Sequence, residues 1–207
     1  MKKIFFLFSI FIFQLTHAVD PQLNVNFKPP KEKVSTEAKD KIEVVEMFWY
    51  GCGHCYSIEP ELKKWKASLP KDVVFKKIPA VPRRDWIPMA RAYYAMESLG
   101  ILDDLHSKIF EAIHKDKTLS PIDEAGAIKW VATNAKLDTE KVKAAFKSLS
   151  MEAKLKKANQ MFRSSGATGV PTLIIDGSYV TSSTMAGGPK NAIEVTSGII
   201  DSIRSQQ

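Results

Sequence analysis

What this chain lacks narrows it quickly. Of its 207 residues only two are cysteines, Cys52 and Cys55, and both lie in "YGCGHCY". Two thiols this close make a poor staple. A disulfide between them closes a loop of about four residues, worth roughly 2 kcal/mol in the chain-entropy model, and a chain of this length buries a core without such help. There is no second Cys-x-x-Cys, so the four ligands of a structural zinc site are missing. Tyr56, not histidine, follows Cys55, which argues against covalent haem attachment. A papain-like cysteine wants a small residue where His54 stands and a histidine far downstream, and His106 and His114 are too near. Internal repeats and low-complexity tracts are absent too. A redox-active dithiol is what survives.

Nor is there charge of a kind that names a partner. The formal net charge is +7, but the lysines are scattered among glutamates, as in "LKKWK" and "KLKKAN". That pattern reads as a solvated surface, and no nucleic-acid partner is expected. The one concentrated apolar run is at the start. "MKKIFFLFSIFIFQLTHAVDP" has a basic opening, apolar residues from Ile4 to Phe13 and a small-residue exit at Thr16 and Ala18, the order of a secretory signal peptide. The run is short for a membrane span, and nothing later is long and apolar enough for one. Residues 1–18 are expected to be cleaved after Ala18. No cysteine follows the run, so no lipoprotein anchor is expected. An exported protein meets an oxidising compartment, where disulfides form and persist.

The dithiol's surroundings read as a strand followed by a helix. In "KIEVVEMFWY", Ile42, Val44, Glu46 and Phe48 share one face and Val45, Met47 and Trp49 the other. A strand apolar on both faces suits the centre of a covered sheet. After Gly51 the spacing changes: Cys55, Ile58, Leu62 and Trp65 recur at helical intervals, so a helix is expected from about Cys52 to Ser68. Cys52 then stands at a helix N-terminus, where unpaired amides and the helix dipole favour a thiolate. A stabilised thiolate is a good leaving group, so its disulfide is easily reduced and acts as an oxidant. His54 has no helical reason to occupy the first turn, where a protonated side chain opposes the dipole. Beside a thiolate it can donate a hydrogen bond or a positive charge. Cys55, one turn in on the face of Ile58, is expected to be the buried partner.

Glu46 is the odd residue of the strand. A buried carboxylate is costly unless paired or protonated. Either its face opens to water or a lysine pairs with it, or it accepts a proton from Cys55 as the disulfide turns over. Glu59, one turn beyond Cys55, reads as an ordinary surface charge. Downstream, "VVFKKIPAV" is a second strand, and residues 85–149 are helical. There "PMARAYYAMESLG" opens at Pro88, "SPIDEAGAIKWVATNAK" is expected to use Ser120 as N-cap with Pro121 at the first helical position, and "DTEKVKAAFKSL" starts from Asp138. A helix over about 150–163 leads to a strand at Thr172–Ile175, a tight turn at Asp176-Gly177, a return strand over 178–181, and a closing helix. Residues 19–40 read as an irregular leader with one edge strand.

A Cys-x-x-Cys at the first strand–helix junction of such an order is thioredoxin-like. "VVEMFWYGCGHCY", "GVPTLIIDGSY" and a helical insert of the right size between them resemble the DsbA family of bacterial periplasmic thiol–disulfide oxidoreductases, over nearly all of the chain beyond residue 18. The resemblance implies an α/β thioredoxin-like fold with an inserted α-helical domain: 19–84 and 150–207 forming the first, 85–149 the second. It implies that Cys52 is the exposed nucleophile, His54 its stabiliser, Cys55 the buried resolving thiol and Glu46 the buried glutamate. Pro171 is then a cis-proline facing the disulfide, and the Val170 backbone pairs with substrate. It further implies a periplasmic monomer without cofactor, reduced unfolded exported proteins as substrates, and a DsbB-like quinone-linked membrane protein for reoxidation. The family's best-known members carry Pro-His between the cysteines. This chain carries Gly-His, also found in oxidoreductases of the disulfide isomerase type. A reductase or isomerase, or a peptide-binding chaperone with an incidental dithiol, are the alternatives.

Overall fold

The computed structural model describes residues 19–206. The expected signal segment, 1–18, lies outside the described residues. β1 (Ile42–Phe48) is buried at all seven positions, because it is flanked on both sides in a sheet ordered β2–β1–β3–β4. It runs parallel to β2 (Val73–Pro79) and antiparallel to β3 (Thr172–Ile175), which returns through β4 (Tyr179–Ser182). The crossover from β1 to β2 is α1 (Gly53–Ala67), as parallel pairing requires. Pro60 sits inside α1 without ending it, since Ile58 and Leu62 are locked against the sheet.

A 3₁₀ turn (Arg84–Trp86) opens the helical insert, followed by α2 (Ile87–Ser98), α3 (Leu102–His114), α4 (Glu124–Ala135) and α5 (Thr139–Phe146). The chain returns to the sheet through α6 (Met151–Ser165), and a one-turn α7 (Ser183–Ala186) precedes the closing α8 (Pro189–Arg204). The thioredoxin-like fold with a helical insert is thus the one the sequence suggested.

The two faces of β1 explain how the insert docks. Ile42 and Val44 pack with α1 and α8, while Val45 and Met47 pack with Met161 and Phe162 of α6. Phe48, the last residue of β1, and Tyr50 just beyond it enter the core of the insert, against Tyr93, Ile109 and Phe110. Each such aromatic contributes roughly 1.5–3 kcal/mol of burial. The site at the end of β1 therefore sits on a seam between two cores.

Two local expectations change, and one element is added. α4 begins at Glu124 with Asp123 as N-cap, its carboxylate accepting from the Gly126 amide at 3.0 Å; Ser120 and Pro121 belong to the preceding turn. They are held there because Thr118 and Leu119 are tied back to the Ala112 carbonyl, with Leu119 buried. The leader meets the sheet through one isolated bridge, Lys28 to Val180, with a second, Leu23 to Phe27, inside the leader itself, rather than through an edge strand. α7 had no signal beyond the Ser182 hydroxyl that caps it through the Met185 amide.

Candidate active site

The strand–helix junction is closed by the Cys52 amide donating to the Trp49 carbonyl at 3.0 Å, after which Tyr56 N–H makes the first helical bond to the Cys52 carbonyl. Cys52 is the N-cap of α1, extended at φ −89°, ψ 116°, and its side chain makes no capping bond to the first-turn amides. It is half-buried, whereas Cys55 is fully buried, and both are free thiols. The two sulfurs are thereby driven apart in acidity. A hydrogen bond from the Cys55 thiol, the amides of Cys55 and His54, and the charge of His54 outweigh burial and bring Cys52 from 9.0 down to about 6. Burial, then the bond to Cys52 and the Glu46 charge, push Cys55 well up. His54 itself is exposed in the first turn of α1.

Across from the dithiol the Val170–Pro171 bond is cis. The Cys52 thiol donates to the Val170 carbonyl at 3.3 Å, so Val170 and Pro171, remote in sequence, border the sulfur. Trp49 and Trp86 form a stacked wall beside it, centroids 4.4 Å apart and nearly coplanar. The Trp49 ring leaves no room at Gly51, where an added Cβ meets it at 2.5 Å; a Cβ at Gly53 meets nothing within 4 Å.

Beneath the dithiol lies a charged cluster. Glu46 is fully buried, and Lys77 stands directly opposite it in the β1–β2 register. The Lys77 ammonium donates to Glu46 Oε2 and to Glu59 Oε1, each at 2.5 Å. Glu46 is therefore lysine-paired, one of the arrangements the sequence left open. Burial nevertheless dominates and raises its pKa to about 7, against the pull of Lys77. Glu46 Oε1 is buried without a hydrogen-bond partner. Glu59 is not the surface charge expected of it: its side chain is 14% exposed and held between Lys77 and His106. Sequence alone assigned no role to Lys77 or Tyr50, and His106 and His114 were weighed only as partners of a papain-like cysteine. Tyr50 and His106 meet at 2.7 Å between the phenol oxygen and Nδ1, and His114 Nε2 lies 2.7 Å from the Tyr50 carbonyl while its ring stacks on Tyr56. One signal was available for Lys77: two consecutive lysines in an otherwise apolar strand face opposite sides, and each demands an acid.

No group of three or more His, Cys, Asp or Glu side chains suited to a metal ion occurs among the described residues. What the site can do is thiol chemistry: one acidic, accessible sulfur, one enclosed sulfur of low acidity beside it, and a carboxyl poised near neutrality below.

Known proteins resemble this chain in sequence and fold. The model of the DSBA-like thioredoxin domain family matches residues 77–191. The thiol:disulfide interchange protein DsbA of Pseudomonas aeruginosa is 35% identical over 167 residues, 80% of this chain and 77% of that one. The chain belongs to the DsbA family. The DsbA of Azotobacter vinelandii is likewise 35% identical, over 81% of this chain and 77% of its own length. A crystal structure of Pseudomonas aeruginosa DsbA superposes with a TM-score of 0.83 at 31% identity, over 89% of this chain and 95% of that DsbA chain. No helix among the described residues is long and apolar enough to cross a membrane.

Proposed function

We propose that this DsbA-family protein is a thiol:disulfide oxidoreductase that oxidises cysteine pairs in newly exported proteins. It donates the Cys52–Cys55 disulfide through a mixed disulfide at Cys52. The observation that carries this is the divergence of the two thiols. Cys52, accessible and acidic, is the better leaving and attacking group, while Cys55 is enclosed and reacts only with its neighbour. A substrate thiolate attacks Cys52 Sγ, the Cys52–Cys55 bond breaks, and Cys55 leaves with the electron pair. The second substrate thiolate then attacks the substrate sulfur bound to Cys52, releasing the substrate disulfide and the Cys52 thiolate.

Each remaining site residue has a place in that cycle. His54 adds positive charge beside Cys52. Glu46 takes and returns the Cys55 proton. Pro171 shapes the loop that faces the sulfurs, and the Val170 backbone, already within reach of Cys52, holds an extended substrate segment by main-chain bonds that read no particular side chain. The segment 1–18 acts as a cleaved signal peptide, delivering a monomer with parts 19–84, 85–149 and 150–207 to the periplasm. There a DsbB-like quinone-linked membrane protein reoxidises it without a cofactor bound to this chain.

The test is oxidation of a reduced, unfolded protein by the mature enzyme. Cys52→Ser should abolish catalysis, and Cys55→Ser should accumulate substrate adducts on Cys52. Adducts forming as fast on Cys55 when Cys52 is absent would overturn the assignment. An activity seen only with scrambled disulfides, or surviving in the double serine variant, would point to an isomerase or a chaperone instead.

A further inference from the structure

We propose that His106 is a positioning residue for proton traffic: through Glu59 and Lys77 it ties the enclosed Glu46 carboxyl, below the dithiol, to the solvent groove on the far side of the cluster. The inference rests on the dithiol reading above. It starts from a problem of protons rather than sulfurs. Cys55 and Glu46 are both fully buried. When Cys55 closes the disulfide, its Sγ attacks Cys52 Sγ, the Cys52–Cys55 bond forms, and the outer sulfur leaves as a thiolate with the bonding pair. The proton shed by Cys55 goes to the Glu46 carboxylate. Above about pH 7 Glu46 gives that proton up, because its carboxyl ionises there; in the opposite half-cycle Cys55 leaves as a thiolate and takes a proton back through Glu46. A proton must therefore leave a closed pocket in one half-cycle and enter it in the other.

The geometry offers a route in one direction. From Glu46 Oε2 the chain of contacts runs to Lys77 Nζ, to Glu59 Oε1, and from Glu59 Oε2 to His106 Nε2 at 3.4 Å. Glu59, Lys77 and His106 all line a groove of about 750 Å³ between β2, α1, α2, α3 and α6. Burial pushes the Tyr50 phenol well above its usual range, so Tyr50 keeps its proton and donates it to His106 Nδ1. With Nε2 facing the Glu59 carboxylate, which accepts, the tautomer that serves both contacts carries the ring hydrogen on Nε2. Nε2 is enclosed and meets Glu59 Oε2 across a long, weak contact of 3.4 Å, which can tighten or slacken as Glu59 changes charge.

The groups facing His106 are Tyr50 at the β1–α1 junction, Glu59 of α1, Lys77 of β2, Tyr93 of α2 and Asp103 of its own helix. Burial lowers the imidazole's proton affinity against the pull of Glu59, leaving it neutral near pH 7. Burial raises Glu59 as well, but His106 and Lys77 outweigh it and hold the carboxyl below its ordinary value. Without His106, Glu59 would keep a proton longer, and the exit from Glu46 would slow.

The experiment is rapid mixing of the reduced protein with oxidised glutathione. It resolves adduct formation at Cys52 from the later release of glutathione by Cys55, followed from about pH 5 to about pH 9. His106→Phe keeps an aromatic ring against Phe48 and Phe110. It should leave adduct formation unchanged, slow release on the order of 10- to 100-fold, at or below the low end for a positioned acid–base group, and shift the pH profile of release. His106→Ala should be slow in the same step and accelerated by imidazole added to the buffer. Wild-type release rates and pH profile in folded His106→Phe would overturn the inference. So would a slow His106→Ala that imidazole does not rescue, since packing alone would explain it. If wild-type protein forms no adduct at Cys52, the proposed function fails and takes this inference with it; a normal adduct with unaltered release removes only the inference.

Discussion

Glu43 and Glu46 stand three residues apart on the same strand, both buried, at 2% and 0% exposure, and consecutive lysines of β2 answer them. Glu43 has three donors on one of its oxygens. Its Oε2 accepts from the Glu37 and Ala38 amides, each at 3.1 Å, and from Lys76 at 2.8 Å. Glu46 accepts one bond, on Oε2, and its other oxygen is enclosed without a partner. Depth and residue type are equal, so the number of donors separates them. A carboxylate whose charge is met by three donors is an anchor for the leader segment. One met by a single donor is left near the point of taking a proton, the condition for acid–base work.

Substitution can break this contrast from either side. Glu43→Ala should cost about 3 to 4 kcal/mol, because it strands two amides and a lysine. A denaturant midpoint reads that loss, and thiol exchange by the folded fraction should stay at the wild-type rate. Glu46→Gln should do the reverse, slowing the closing step of Cys55 by about 100-fold. Its stability effect has a definite sign. Glu46 is protonated in the folded state up to about pH 7 but ionises from 4.5 in the unfolded chain. Wild-type stability therefore falls as pH rises between those values and stays reduced above them. Glu46→Gln escapes that fall, so it should be the more stable protein at pH 8, with the gap closing below pH 4.5.

The thiolate above Glu46 sharpens the contrast further. The lowered pKa of Cys52 stabilises the folded reduced protein fully above its unfolded value of 9.0, and the contribution is lost as pH falls through about 6. The whole shift is worth ~4 kcal/mol above pH 9, but at pH 7 only about 1.4 kcal/mol of it is present, and solvent screening of the half-exposed sulfur leaves about 1 kcal/mol. Reduced protein should outlast oxidised protein in urea at neutral pH, and equal midpoints there would mean that the thiolate is not specially stabilised. The smallest effect is at the rim of the Glu43 anchor. Lys157→Ala removes an exposed ion pair with Glu37 and should change stability by less than about 1 kcal/mol.

Much of this was legible in the order of residues. The alternation of β1, the switch to helical spacing after Gly51 and the lone Cys-x-x-Cys place the dithiol at a strand–helix junction, where the structure has it. Glu46 announced itself as a charge among apolar neighbours. Glu59 did not, because on a helix one carboxylate among lysines looks the same whether it faces water or a neighbouring element. What buries it is the insert: α3 brings His106 over α1, and that contact joins residues 47 positions apart through a docking angle that no local pattern encodes. The start of α4 was misplaced for a related reason. Ser120-Pro121 is as good a helix opening as Asp123, and the decision falls to Leu119, which the insert's core pulls inward before the helix can begin.

The two glycines that bracket Cys52 are unlike in what they permit. Position 51 is closed, since any side chain there displaces Trp49 from Trp86. Position 53 opens on empty space at the first residue of α1, where the amide has no helical partner to lose and even proline fits. A side chain can therefore be added at residue 53, beside the sulfur, without its Cβ meeting either core. The neighbour of the nucleophile can vary separately from the fold that carries it.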